Sequence, residues 1–129
     1  MIVVDTSALM AILLDEAAAE FCVSVLAGDD QLLISAGTMA EALIVGARRQ
    51  VGDEMAALIG GLGLDIVAVT AASARLAAQA YEKWGKSIHP ASLNFGDCFS
   101  YALANENGCP LLFVGNDFSQ TDIVSAASG

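Results

Sequence analysis

The chain has 129 residues, 56% of them hydrophobic, and fifteen acids against five Lys/Arg give a formal charge of −10. That length and apolar content fit one domain with a real core, expected over residues 1–129, and the absence of a linker, repeat or low-complexity run adds no second one. The charge by itself argues against nucleic-acid binding, since phosphates repel a negative surface, and favours a basic partner or acids gathered around a cation.

Apolar stretches are cut by Asp5 and Glu41 before they reach the roughly 18–20 residues of a membrane span. The N-terminus has no basic region of a secretory signal. Cys22, Cys98 and Cys109 form no CxxC and read as buried free thiols, which suits a reducing compartment. The expectation is a soluble, cytoplasmic protein without a membrane segment.

In chain order, MIVVD reads as a buried strand ending in Asp5, followed by a short apolar helix, TSALMAILL, which Thr6 or Ser7 could cap. EAAAEFCVSVLAG is a second helix stopped by Gly28, and QLLIS a second strand. A third helix runs from Ala36 to Val51, with Ala40, Leu43, Ile44 and Ala47 as its apolar face and Glu41 on the flank. A fourth covers about Asp53 to Ile59, and Leu64–Val69 is a third strand. AASARLAAQAYEKWG is a helix stopped by Gly85, and KSIHPASL a loop broken by Pro90. The Phe95–Asn107 helix follows, then CPLLFVGND as a fourth strand and turn, with DIVSA as a short edge strand.

Strands alternating with helices imply an α/β fold: a mostly parallel sheet of four to five strands, flanked by helices on both faces. Ligands of such sheets gather beyond the carboxyl ends of the strands. Asp5 and Asp117 each lie just past a strand, so both fall on that rim.

Each acid has an ordinary explanation. Asp5 suits an N-cap or Asx turn, and Asp97, in the first turn of its helix, suits the helix dipole. Glu41 suits a solvated boundary, although Val45 at i+4 offers it no basic partner. Asp117 sits in a turn sequence. Together they are harder to dismiss, because clustered carboxylates repel unless a cation neutralises them or some take up protons. All-oxygen ligation selects Mg²⁺ or Mn²⁺, and one histidine, His89, with scattered cysteines makes no zinc set. A metal held by carboxylates can also hold a phosphate that the bare protein repels.

These motifs resemble the PIN-domain family, and within it the VapC-type toxins of type II toxin–antitoxin pairs. MIVVDTSALMAILLDE resembles the opening strand with its aspartate, MAEALIV the glutamate-bearing helix, HPASLNFGDCFSYALA the most specific stretch, and PLLFVGNDFSQTDI the closing motif. The resemblance covers nearly the whole chain. It implies a PIN-like domain with Asp5, Glu41, Asp97 and Asp117 as catalytic, metal-binding acids and Ser7 in support. Asn116 stands where many relatives carry another acid, which leaves open its role against that of Asp117. Asp122 reads as structural. The resemblance further implies a Mg²⁺- or Mn²⁺-dependent endoribonuclease acting on RNA, a homodimer, and inhibition by a cognate antitoxin. Arg48, two turns beyond Glu41, is placed to touch a phosphate bordering the site. The competing reading is a non-catalytic acidic module that binds a basic protein partner. A haloacid-dehalogenase site would need an aspartate at Ser7, and a receiver domain a lysine after the last core strand, yet the last lysine is Lys86.

Overall fold

The computed structural model describes residues 1–126. Four strands, β1 (Ile2–Val4), β2 (Leu32–Ser35), β3 (Asp65–Val67) and β4 (Leu111–Leu112), form a parallel sheet in the order β3-β2-β1-β4. Six helices accompany them: α1 (Thr6–Leu13), α2 (Ala19–Ala27), α3 (Ala36–Arg48), α4 (Gly52–Gly61), α5 (Ala71–Trp84) and α6 (Phe95–Asn107). β1, β2 and β4 are buried along their whole length, as unbroken apolar runs in a parallel sheet should be.

The two-residue alternation of a strand divides the core into two layers. Ile2, Val4, Leu32, Ile34 and Leu112 pack on one side with Leu9, Cys22, Ala42, Met55 and Ile59. Val3, Leu33 and Leu111 pack on the other with Ala77, Leu93, Cys98, Tyr101 and Phe118. Helices thus cover both faces. The chain runs from β1 to β2 on one side and returns to β4 on the other. The carboxyl ends of β1 and β4 therefore flank a topological switch point, where crevices open in such sheets.

Several expectations change. DIVSA forms no fifth strand; the segment meets β4 in an isolated bridge that sets Ser125 opposite Leu111. The cap of α1 is Asp5 rather than Thr6 or Ser7, because its carboxylate accepts the Ser7 N–H. α3 buries Thr38, Ala42 and Gly46, whereas Ala40, Ile44 and Ala47 are exposed. The reason is close packing by small residues. A Cβ on Gly46 would meet Met55 Cβ of α4 at 3.0 Å, and one on Gly37 would meet the Phe99 ring of α6 at 2.8 Å. Summed hydrophobicity points the wrong way where the neighbour demands a small side chain.

Candidate active site

Asp5 stands at the carboxyl end of β1, 3% exposed. Its Oδ2 accepts the Ser7 backbone N–H at 3.0 Å and the Ser7 hydroxyl at 2.7 Å. Its Oδ1 accepts the Ser100 hydroxyl at 2.6 Å. Ser7 Oγ in turn accepts the Val114 N–H at 3.0 Å, which fastens the segment after β4 to the end of β1. Ser7 therefore touches the acid directly.

Asp97 is the third residue of α6 and forms a reciprocal capping box with Asn94. Its N–H donates to Asn94 Oδ1 at 2.8 Å, and its Oδ2 accepts the Asn94 N–H at 3.0 Å. The apolar helix around it explains its burial, with Cys98, Tyr101 and Ala102 on the core side. Burial, followed by the charges of Asp5, Asp117 and Glu41, raises its carboxyl to about 7 despite the Asn94 bond.

Glu41 lies on α3 and accepts the Thr6 hydroxyl on Oε1 at 2.6 Å. Burial first, and the Asp5 charge as a smaller addition, raise its pKa, with the Thr6 bond opposing. Its carboxylate reaches the start of α6 so closely that a Cβ on Gly96 would run into it. Asp117 is exposed in the turn after β4, and its charge is felt at Asp97. Asn116 precedes it, exposed, with its backbone carbonyl accepting the Ser119 hydroxyl at 2.7 Å.

The charges of the other three acids thus converge on Asp97. Among the described residues none has a Lys or Arg partner; the one ion pair there joins the N-terminus to Asp29. As the side chains stand, no three of the acids close on a single point to hold an ion. In this arrangement Asp97 Oδ2 accepts the Asn94 N–H and Glu41 Oε1 accepts the Thr6 hydroxyl. The donor set is all oxygen, partly buried and un-neutralised, which is the chemistry of a hard divalent cation.

Other candidates fall outside this group. Arg48 is exposed in the last turn of α3, where it complements the helix dipole. Asp122 accepts the Tyr101 hydroxyl at 2.5 Å and is not among the charges acting on Asp97. His89 accepts the Ala91 N–H on Nδ1 at 3.0 Å and packs edge-on against Trp84. The three cysteines are free and buried, and burial pushes each thiol up, away from the thiolate form that reacts.

Thr6, Thr38 and Ser100 are the contacts the sequence reading missed. A signal exists: Thr38 precedes Glu41 by three residues and Ser100 follows Asp97 by three, spacings that place hydroxyl and acid on one helix face.

The sequence and fold both find relatives. The PIN domain family model matches residues 2–124. Ribonuclease VapC30 of Mycobacterium tuberculosis is 45% identical over 97% of this chain and 98% of its own length. Ribonuclease VapC of Mycolicibacterium smegmatis is 43% identical over 95% and 98%. Among solved structures, M. tuberculosis VapC20, described as a Sarcin-Ricin loop cleaving toxin, superposes with TM-score 0.79 at 20% identity, covering 96% of this chain and 97% of that one. A toxin–antitoxin complex from Klebsiella pneumoniae gives 0.73 at 16% identity, covering 98% of each. With the family model spanning residues 2–124 and a relative 45% identical over nearly its whole length, the chain belongs to the PIN-domain family.

Proposed function

We infer that this protein is an endoribonuclease of the VapC type, the toxin of a type II toxin–antitoxin pair, built as one domain and acting in the cytoplasm. Ribonucleases of this family are metal-dependent. The observation that carries the reading here is a buried aspartate facing three further carboxylates with no protein cation between them. Asp5, Asp97, Glu41 and Asp117 would hold the ion, and their oxygens favour Mg²⁺ or Mn²⁺. When bound, such an ion supplies polarisation of the phosphate and acidifies a water for attack.

The chain's own residues do the rest. Ser7 and Ser100 fix the Asp5 carboxylate. Asp97, pushed up to about 7 by burial and the neighbouring carboxylates, is the acid of the set best able to hold a proton, and it would have to be ionised to serve as a ligand. Glu41 stands beside the N-terminus of α6, held by Thr6, where it completes the ligand set or orients the water. Arg48 and the few other cations make RNA affinity modest and strongly salt-dependent.

A cognate antitoxin with basic character suits both the −10 charge and the acidic site. Homodimerisation accounts for an apolar cleft of about 740 Å³ lined by Val69, Tyr81, Phe95 and Phe99. Phe95 is 76% exposed at its edge, and Ile44 on α3 60%. No helix of the described residues is long and apolar enough to cross a membrane.

The test is RNA cleavage across a broad panel with Mn²⁺ and with EDTA. Asp5→Asn and Asp97→Asn should abolish cleavage. Cleavage that survives EDTA or either substitution would remove the metal-nuclease reading. A total lack of turnover in wild type would favour the acidic binding module instead.

A further inference from the structure

Asp5 has four acceptor positions, two on each oxygen. Oδ2 receives two donors from Ser7, which fills it. Oδ1 receives one, from Ser100, so the remaining acceptor position of Asp5 is on the oxygen that Ser100 holds. Ser100 Oγ also lies 3.1 Å from Thr38 Oγ1, and both side chains are fully buried, at 0% exposure. A hydroxyl has a single proton. Ser100 commits its proton to the carboxylate, so Thr38 must be the donor in the second bond. The direction of the chain is fixed: Thr38 to Ser100 to Asp5.

The three residues come from three elements. Thr38 is on α3, which carries Glu41; Ser100 is on α6, which carries Asp97; Asp5 follows β1 and caps α1. Buried hydrogen bonds in series strengthen one another, and each group left unpaired there is costly.

We propose that Thr38 and Ser100 form a one-way hydroxyl relay that positions Asp5 Oδ1 and sets the spacing of the acid-bearing elements for the divalent ion. The proposal rests on the reading of Asp5 as a metal-binding acid. Both hydroxyls are positioning residues, since they are fully buried and act through the Asp5 carboxylate. Removing the hydroxyl nearest the carboxylate should matter most, and removing the farther one should act only through the nearer.

The experiment is calorimetric titration of the full chain with Mn²⁺ alone, paired with thermal melts in EDTA. Ser100→Ala should weaken Mn²⁺ binding roughly 10- to 100-fold, the usual effect of losing a hydrogen bond to a metal ligand. Thr38→Val, nearly isosteric, should weaken it a few-fold, and Thr38→Ser should restore it. The double variant should bind Mn²⁺ about as weakly as Ser100→Ala alone. On RNA, KM should hold while kcat at limiting Mn²⁺ falls. Wild-type Mn²⁺ affinity in Ser100→Ala and Thr38→Val, or losses that multiply in the double variant, would overturn the relay. Should Ser100→Ala fail to fold, Thr38→Val against Thr38→Ser decides. Asp5→Asn separates the two levels of argument. If it loses Mn²⁺ while Ser100→Ala keeps it, the relay alone fails; if it binds as tightly as wild type, or wild type binds none, the metal site fails and the relay with it.

Discussion

Asp97→Asn should make the ion-free protein more stable at pH 8 while ending its activity. Asp97 is 6% exposed, and burial with three neighbouring carboxylates moves its pKa from 3.8 to about 7. A displacement of that size corresponds to on the order of 4 kcal/mol. The sign follows from proton linkage. Below the unfolded value both states hold the proton and the folded state carries no penalty. As pH rises towards 7 the unfolded chain ionises freely and the folded one resists, so stability falls until Asp97 ionises in the folded state. Glu41, also raised, adds to the same trend. Asparagine keeps an acceptor for the Asn94 N–H and forfeits only about 0.3–1 kcal/mol of helix-dipole interaction. Thermal melts in EDTA should therefore show wild type losing stability between pH 5 and pH 8, with a shallower slope in Asp97→Asn, where Glu41 still contributes. The variant should melt higher at pH 8, by up to roughly 10 °C for a chain of this length. Saturating Mn²⁺ should reverse the wild-type slope, because the ion selects ionised carboxylates. An ion-free wild type whose melting point rises from pH 5 to pH 8, or a variant that keeps the wild-type slope, would refute the reasoning.

Three further substitutions test separate parts of the structure. Gly96→Ala drives a Cβ into the Glu41 carboxylate, so RNA cleavage should fall at least about tenfold; unchanged turnover would show that Glu41 need not approach α6. Its melting point should hold, since Ala favours a helix over Gly by about 1 kcal/mol. Tyr101→Phe removes the 2.5 Å bond to Asp122 and should cost about 1–2 kcal/mol by denaturant melts, with cleavage intact; lost cleavage would give Asp122 a role in the site. Phe95→Asp places a charge at the edge of the apolar cleft and should yield monomers by light scattering; an unchanged dimer would locate the interface elsewhere.

The alternation of strands and helices was legible because β1, β2 and β4 are short apolar runs with acids or turns at their ends. The position of Asp5 and Asp117 on one rim followed from parallel topology alone. What local pattern could not give was anything decided by a distant neighbour. The buried side of α3 is chosen by Met55 and Phe99, which require glycine or small residues opposite them. DIVSA has strand-like composition, yet it meets β4 at Leu111 alone, through Val124 and Ala126 backbone bonds that flank Ser125, and the bonds of Thr121 and Asp122 hold the preceding segment in turns. The partners of the acids were invisible for the same reason: Ser100 meets Asp5 across 95 positions of sequence.

The capping roles first weighed against a metal site are not rivals to it. Asp5 does cap α1, and Asp97 does close a capping box on α6. Each bond consumes one face of a carboxylate and fixes its direction. Asp5 Oδ2 is filled by Ser7, so its remaining capacity lies on Oδ1; Asp97 Oδ2 faces Asn94, so its remaining oxygen is Oδ1 as well. Local helix chemistry thus orients the acids, and long-range packing brings them together against their mutual repulsion. Burial first, and that repulsion after it, raise the pKa of Asp97, and a cation or a proton relieves the repulsion. A site assembled this way is least stable when ionised with no cation beside it, so under the proposed reading a divalent ion would gain affinity from the repulsion that it relieves.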